Sequence, residues 1–286
     1  MKPAAFDYAR PDNLAAALQL LRQGDDTKIL AGGQSLVPMM NTRLVRPARI
    51  VDINRLTELD YIADRGDHIA VGALARHAAV KASPLMAQHF PIICEAYDWV
   101  AHSAVRNRGT LCGNLCHADP ASEMPAIMLT LGATMVLANA TTERTVSAGE
   151  FFVGLYETVT EADEILKEVR LPKPAAGTGW GFEEVSMRKG DFAWATVVAT
   201  LRITGGAITA PAIALAGVGD HATRLAEAEA ALTGKTPSDA LFAEVANRAA
   251  AAIDPPTAAA VDATYRRDLV ATLLPRVLRA ATNRAS

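Results

Sequence analysis

The segment Lys28-Ile29-Leu30-Ala31-Gly32-Gly33-Gln34-Ser35-Leu36 constrains the fold more than any other stretch of the chain. A short apolar run reads as a β-strand, and it runs directly into two glycines. Glycine allows the backbone angles that turn successive N–H groups to one side. The result is a nest of donors with little side-chain bulk, with the Ser35 hydroxyl beside it, and a diphosphate suits such a nest. An ordinary Gly-Gly turn would show the same residues. The segment is not a dinucleotide fingerprint, which needs G-x-G-x-x-G and an acid about 20 residues on, nor a P-loop, because no Gly-Lys-Ser/Thr follows.

A second segment has similar chemistry: Gly109-Thr110-Leu111-Cys112-Gly113-Asn114. Two such loops favour one shared phosphate-bearing ligand over two unrelated turns. Asp119 and Glu123 follow closely and are acceptors of the kind that hold ribityl or ribose hydroxyls; helix capping would equally explain them.

The pattern around these segments reads as α+β. Leu14, Leu18 and Leu21 form an apolar helix face, capped by Asp12 or Asn13 and ended by Gly24. Arg49 to Ile53 reads as a strand, and residues 61–63 with 68–71 as a hairpin about Arg65-Gly66-Asp67. A helix is predicted from Phe90 to about His102. Residues 105–126 hold so much Gly, Asn and Pro that they read as a structured loop entering a helix, with Asp119 as N-cap and Pro120 first in the helix. Ser122-Glu123 offers a competing start, and Gly132 the end. Residues 133–138 read as a strand and residues 172–179 as a linker. Beyond it, segments 181–188, 193–203 and 207–217 predict an antiparallel sheet with a Gly205-Gly206 turn. Helical patterns follow at 222–233, 238–252 and 262–283.

Composition narrows the function. The 286 residues carry 28 Lys plus Arg and 31 Asp plus Glu, a net charge of −3. Such balance argues against a nucleic-acid binder, which needs a concentrated positive field. The first residues have no apolar h-region, so no signal peptide is expected, and no apolar run reaches the roughly 18 residues of a membrane span. Three cysteines cannot make a disulfide scaffold, so a reducing, cytoplasmic setting is expected. Cys112 and Cys116 have no third or fourth metal ligand, and no metal site is expected. No Ser–His–Asp or Cys–His set is evident, and His77, His102 and His117 read as surface or loop residues rather than catalysts.

Residues 31–56 and 106–133 together resemble the FAD-binding medium subunit of the xanthine dehydrogenase and carbon monoxide dehydrogenase (molybdenum hydroxylase) family. The first block is similar to A-G-G-x-S-L/x-P and the second to T-x-G-G-N-x-x-x-x-x-P-x-x-x-x-P. The block 182–195 is similar to a family segment ending R-x-G-D-aromatic-A, and Tyr265 to Arg267 with Arg276 to Leu278 to the end of the same subunit.

The resemblance implies a two-lobed FAD-binding domain of the p-cresol methylhydroxylase/vanillyl-alcohol oxidase type, residues 1–56 and 57–175. A C-terminal antiparallel sheet with helices, residues 176–286, would follow. It implies FAD on this chain, [2Fe–2S] clusters on a small partner subunit, a molybdenum–pterin centre on a large one, and a dimer of such heterotrimers. Carried over, Leu30, Ala31, Gly32, Gly33, Gln34, Ser35 and Leu36 line the FAD diphosphate, with Lys28 a nearby positive group. Thr110, Gly113 and Asn114 form a second cradle. Glu123, with Asp119 one turn away, holds cofactor hydroxyls. Asp191 and Phe192 meet the isoalloxazine, although Phe192 also starts an apolar strand and could pack in a core. Two departures stand out: Cys112 replaces a family glycine, and Glu184 stands where some relatives have Lys. The same fold also serves stand-alone flavin reductases and oxidases, which need an acid or base opposite the flavin that is not found here. A decayed, non-enzymatic site has only Cys112 in its favour.

Overall fold

The computed structural model describes residues 1–24, 26–258 and 261–285. Its first sheet is parallel: β1 (Asp7–Ala9) and β2 (Thr27–Leu30) flank β3 (Arg49–Asp52). Parallel neighbours cannot be joined by a tight turn, so helices α1 (Leu14–Leu21) and α2 (Leu36–Asn41) lie in the connections. Asn13 caps α1 by accepting the Ala16 amide at 2.9 Å. Ala17, Leu18 and Leu21 form the buried face of α1.

A second sheet is antiparallel. It contains β4 (Ile62–Asp64), β5 (His68–Gly72), β6 (Thr134–Ala138) and β7 (Glu143–Ser147). After a small hairpin of β8 (Phe152–Gly154) and β9 (Glu157–Thr158), the central strand β10 (Ile165–Pro172) inserts between β5 and β6. The helices between β5 and β6 are α3 (His77–Ala82), α4 (Pro84–His89), α5 (Pro91–Ala96), α6 (Ser103–Arg106), α7 (Leu111–His117) and α8 (Glu123–Leu131), and α9 (Ala148–Phe151) follows β7.

This region corrects three expectations. The helix predicted from Phe90 to His102 stops at Ala96; the chain then turns, with Ala101 in the left-handed region at φ 46°. The loop predicted through 105–126 contains α7, because the Thr110 hydroxyl caps it by accepting the Gly113 amide at 3.1 Å. Asp119 and Pro120 do not start α8. Asp119 accepts the Ala121 amide in a turn, and α8 begins one turn later at Glu123, with Ser122 as N-cap. As predicted, α8 ends at Gly132, at φ 65°.

The third sheet is antiparallel in chain order: β11 (Gly179–Ser186), β12 (Ala193–Thr204), β13 (Ala207–Ala216) and β14 (Thr223–Arg224). Gly205 and Gly206 make the β12–β13 turn at φ 58° and 79°. Helices α10 (Ala226–Leu232), α11 (Asp239–Ala252) and α12 (Ala263–Arg284) follow. Ala195, Val197, Ala199 and Leu201 pack toward these helices, whereas Val198 joins the core shared with the first two sheets. Both faces of β12 are therefore covered, which is why it reads as a continuous apolar run. Helix α12 lies so close to β11 that a Cβ on Gly181 would run into the Val277 carbonyl. On the other face, α8 packs across β12 and β13.

Candidate cofactor site

Strands β2 and β3 run in the same direction, so their C-terminal ends open on one edge. Ligands of parallel sheets bind beyond such edges. Here the edge borders a cleft of about 610 Å³, lined by Leu30, Ala31, Gly32, Gly33 and Gln34, by Val37 and Pro38 of α2, by Asp52 and Asn54 after β3, and by Arg76 and Arg108. Gly33 has φ +71°. Among the described residues, none of the amides of Gly32, Gly33, Gln34 and Ser35 donates to a protein acceptor. Four consecutive free donors beside two guanidinium groups fit a diphosphate, by hydrogen bonding and by charge.

The cleft is held by a clamp between the two glycine segments. A Cβ on Gly32 would lie 2.5 Å from the Arg108 carbonyl oxygen and 2.6 Å from Gly109 Cα, so the two loops touch backbone to backbone. The Asn54 side-chain amide donates to the Ala31 carbonyl at 2.8 Å. Arg76 donates through Nη2 to Asn54 Oδ1 at 2.6 Å and through Nη1 to the Arg108 carbonyl at 2.5 Å. One guanidinium thus bridges the segment after β3 and the loop before α7. Burial and then the Arg108 charge push its pKa down. Asp52 is opposed by burial, but hydrogen bonds from Tyr8 and Asn54 outweigh this and hold its carboxyl below the usual value.

The other anticipated residues are absent from this lining. Lys28 is exposed on β2, and Ser35 and Leu36 open α2. Thr110 and Gly113 are bonded to each other at the start of α7, and the Asn114 side chain is within 3.0 Å of the Ser122 hydroxyl. Asp119 receives the Tyr156 hydroxyl at 3.3 Å, and the Tyr156 ring stacks near His117 with centroids 5.1 Å apart. Glu123 is buried, and burial raises its carboxyl to about 7. Asp191 pairs with Arg188 at 3.0 Å. Phe192 is 71% exposed, so it does not pack in the core despite preceding an apolar strand.

His77 is a correction. It is 4% exposed, not a surface residue. It opens α3 behind the second glycine loop, its Nδ1 lies 3.1 Å from the Tyr97 hydroxyl, and burial, then the Arg106 charge, lowers it to about 4. Cys112 packs in α7 with its thiol 3.9 Å from the Val71 carbonyl and with no positive φ, so the missing family glycine introduces no strain. Sequence reasoning missed Asn54, Arg76 and Arg108. Arg108 adjoins Gly109, but nothing local distinguishes Arg76 or Asn54 from ordinary polar residues.

Comparison with known proteins identifies relatives over the whole chain. Residues 4–174 match the family model described as the FAD binding domain in molybdopterin dehydrogenase, and residues 180–281 match the CO dehydrogenase flavoprotein C-terminal domain. The caffeine dehydrogenase subunit beta of Pseudomonas sp. (strain CBB1) is 38% identical, over 99% of this chain and 97% of that protein. The carbon monoxide dehydrogenase medium chain of Hydrogenophaga pseudoflava is 35% identical over the full length of both. A solved carbon monoxide dehydrogenase from the same organism, lacking the Mo-pyranopterin moiety of its molybdenum cofactor, superposes with a TM-score of 0.97 at 37% identity over the whole of both chains.

Proposed function

The chain belongs to the family of FAD-binding medium subunits of molybdenum hydroxylases, and we propose that it is the electron-transfer subunit of a heteromeric enzyme of that family. In this reading it sits between a small subunit with [2Fe–2S] clusters, partnered by a large molybdenum–pterin subunit, and an external electron acceptor. Two such heterotrimers form a dimer in the cytoplasm. Bound FAD supplies the redox chemistry, and the protein supplies placement and electrostatics.

The observation that carries the reading is the run of amides from Gly32 to Ser35 that meet no acceptor among the described residues, at a cleft that Arg76 and Arg108 also line. These amides would donate to the diphosphate while the guanidinium groups offset its charge. Leu30, Ala31 and Leu36 would shape the walls, with Lys28 contributing long-range positive charge. Thr110, Gly113 and Asn114 would form the opposing wall. Glu123 and Asp119 would accept from ribityl or ribose hydroxyls. Asp191 and the exposed Phe192 would meet the isoalloxazine from the C-terminal side. The division of labour follows residues 1–56, 57–175 and 176–286.

Purification of the chain from its native host, at low salt and with FAD supplied, tests this. The expected material is yellow, contains FAD rather than FMN, and brings with it one iron–sulfur and one molybdenum subunit. Flavin-free protein after reconstitution would overturn the cofactor site. Turnover of an organic substrate by the isolated chain would overturn the subunit role.

A further inference from the structure

The seam between α8 and the third sheet buries two carboxyl groups with no counter-charge. Glu123 opens α8 and is 6% exposed; Glu184 lies on β11 and is 5% exposed. Side chains alternate along a strand. Phe182 packs with the core shared with the first two sheets and Val185 with the C-terminal helices, so Glu184 lies on the face of the sheet against which α5 and α8 pack. Thr196, its direct partner on β12, donates its hydroxyl to Glu184 Oε2 at 3.2 Å, and Ser186 on β11 is the other neighbouring hydroxyl. Glu184 Oε1 is buried without a partner.

Among the described residues the facing elements supply no cation to either glutamate. The α7–α8 turn contributes Asp119 and, beside it, His117 and Tyr156. Tyr97, after α5, feels the Glu123 charge. Among the described residues neither glutamate has an ion-pair partner. Arg224 is held by Glu229, Arg284 by Glu95, and Arg276 lies with Glu183 on the opposite face.

Two carboxylates in such a setting do not both ionise at neutral pH. Glu123 has the advantage: its position at the start of a nine-residue helix favours negative charge. We propose that Glu184 is a positioning residue that keeps its proton at neutral pH, so that Glu123 alone ionises and offers its carboxylate to the cofactor's hydroxyls. The inference rests on the reading of Glu123 given above. The carboxyl ranges agree in order: burial raises Glu123 to about 7, and burial followed by the Glu123 charge raises Glu184 to about 8. Above that range a second negative charge enters the seam, and cofactor affinity falls.

The test titrates the full-length apo-protein with FAD, followed by flavin fluorescence, from about pH 6 to about pH 9.5. Wild-type affinity is expected to rise as Glu123 ionises through about pH 7 and then to fall about tenfold by about pH 9.5 as Glu184 ionises near 8. Glu184→Gln, neutral at every pH, is expected to remove that alkaline limb. An unchanged limb in Glu184→Gln would overturn the role of Glu184. If Glu123→Gln binds FAD as tightly as wild type at every pH, the reading of Glu123 itself fails, a distinguishable outcome. A second measurement needs no variant: infrared difference spectra of wild-type protein across the same pH range should show a protonated carboxyl band disappearing near pH 8, and no such band would overturn the proposal.

Discussion

Gly32 and Gly109 meet face to face, the Cα of Gly109 standing 2.6 Å from where a Gly32 side chain would begin. These residues are 77 positions apart, yet they bring the two glycine segments into backbone contact. Ordinary Gly-Gly turns would not need each other in this way. Glycine at 32 answers a close approach between backbones, while Gly33 answers a positive φ.

Gly32→Ala is therefore expected to separate the loops. The contact is with backbone, which cannot rotate away as a side chain can. Overpacking of this kind costs about 1–3 kcal/mol. The ratio of flavin to protein absorbance after gel filtration should fall severalfold, and the melting temperature should drop. Full flavin content at unchanged stability would contradict the clamp.

Arg76 makes the same link through its side chain, to Asn54 and to the Arg108 carbonyl. Lysine keeps the charge but lacks the planar fork that serves both acceptors. Arg76→Lys is expected to weaken FAD binding about tenfold, or about 1.4 kcal/mol, and Arg76→Met further, because charge is lost as well. Fluorescence titration at two salt concentrations separates the contributions: only the charge term should shrink as salt rises. Equal affinity for Arg76→Lys and wild type would exclude the fork.

These two contacts also mark what was legible in the sequence. Local chemistry was: the glycine turn after β2, the Asn13 cap, the Gly205-Gly206 turn and the long C-terminal helix all depend on neighbouring residues. Contacts over long separations were not. Arg76 acts through partners 22 and 32 positions away. His77 looked like a surface histidine because its burial comes from α3 packing under a loop more than 30 residues on. Helix α7 was hidden by Gly113 and Asn114, since Thr110 supplies the cap that offsets their poor helix propensity. Glu184 was seen only as a missing positive charge, because its partner Glu123 lies across a tertiary seam.

His77 predicts an acid limb of stability. In the folded chain burial and the Arg106 charge hold it near 4, against about 6.5 when unfolded. Between those values the unfolded chain takes up a proton that the folded chain refuses, so stability falls as pH drops through this window and is retained above it. Denaturant midpoints measured at about pH 7 and about pH 5 should show the loss. Most of it should vanish in His77→Gln, which cannot be protonated. An equally steep limb in that variant would assign it to other groups.

Phe192 should separate stability from cofactor environment. At 71% exposed it contributes little to the core, so Phe192→Ala should change unfolding free energy by no more than about 0.5 kcal/mol. If its ring covers one face of the isoalloxazine, the variant should show brighter flavin fluorescence and a shifted absorption band. Spectra superimposable on wild type would remove Phe192 from the site.

Cys112 offers the reverse case. The resemblance implies a glycine where Cys112 stands, and a decayed site would improve if that glycine were restored. The structure argues otherwise: Cys112 is buried inside α7, with no positive φ for glycine to relieve. Cys112→Gly removes packed volume and adds backbone freedom to a helix, effects expected to cost about 1–3 kcal/mol together. The melting temperature should fall while flavin content at low temperature stays at the wild-type level. Burial also pushes the thiol pKa well above its usual value, so it should react only slowly with thiol reagents until the chain unfolds. A gain in FAD affinity in Cys112→Gly would instead mark Cys112 as a lesion in the cradle.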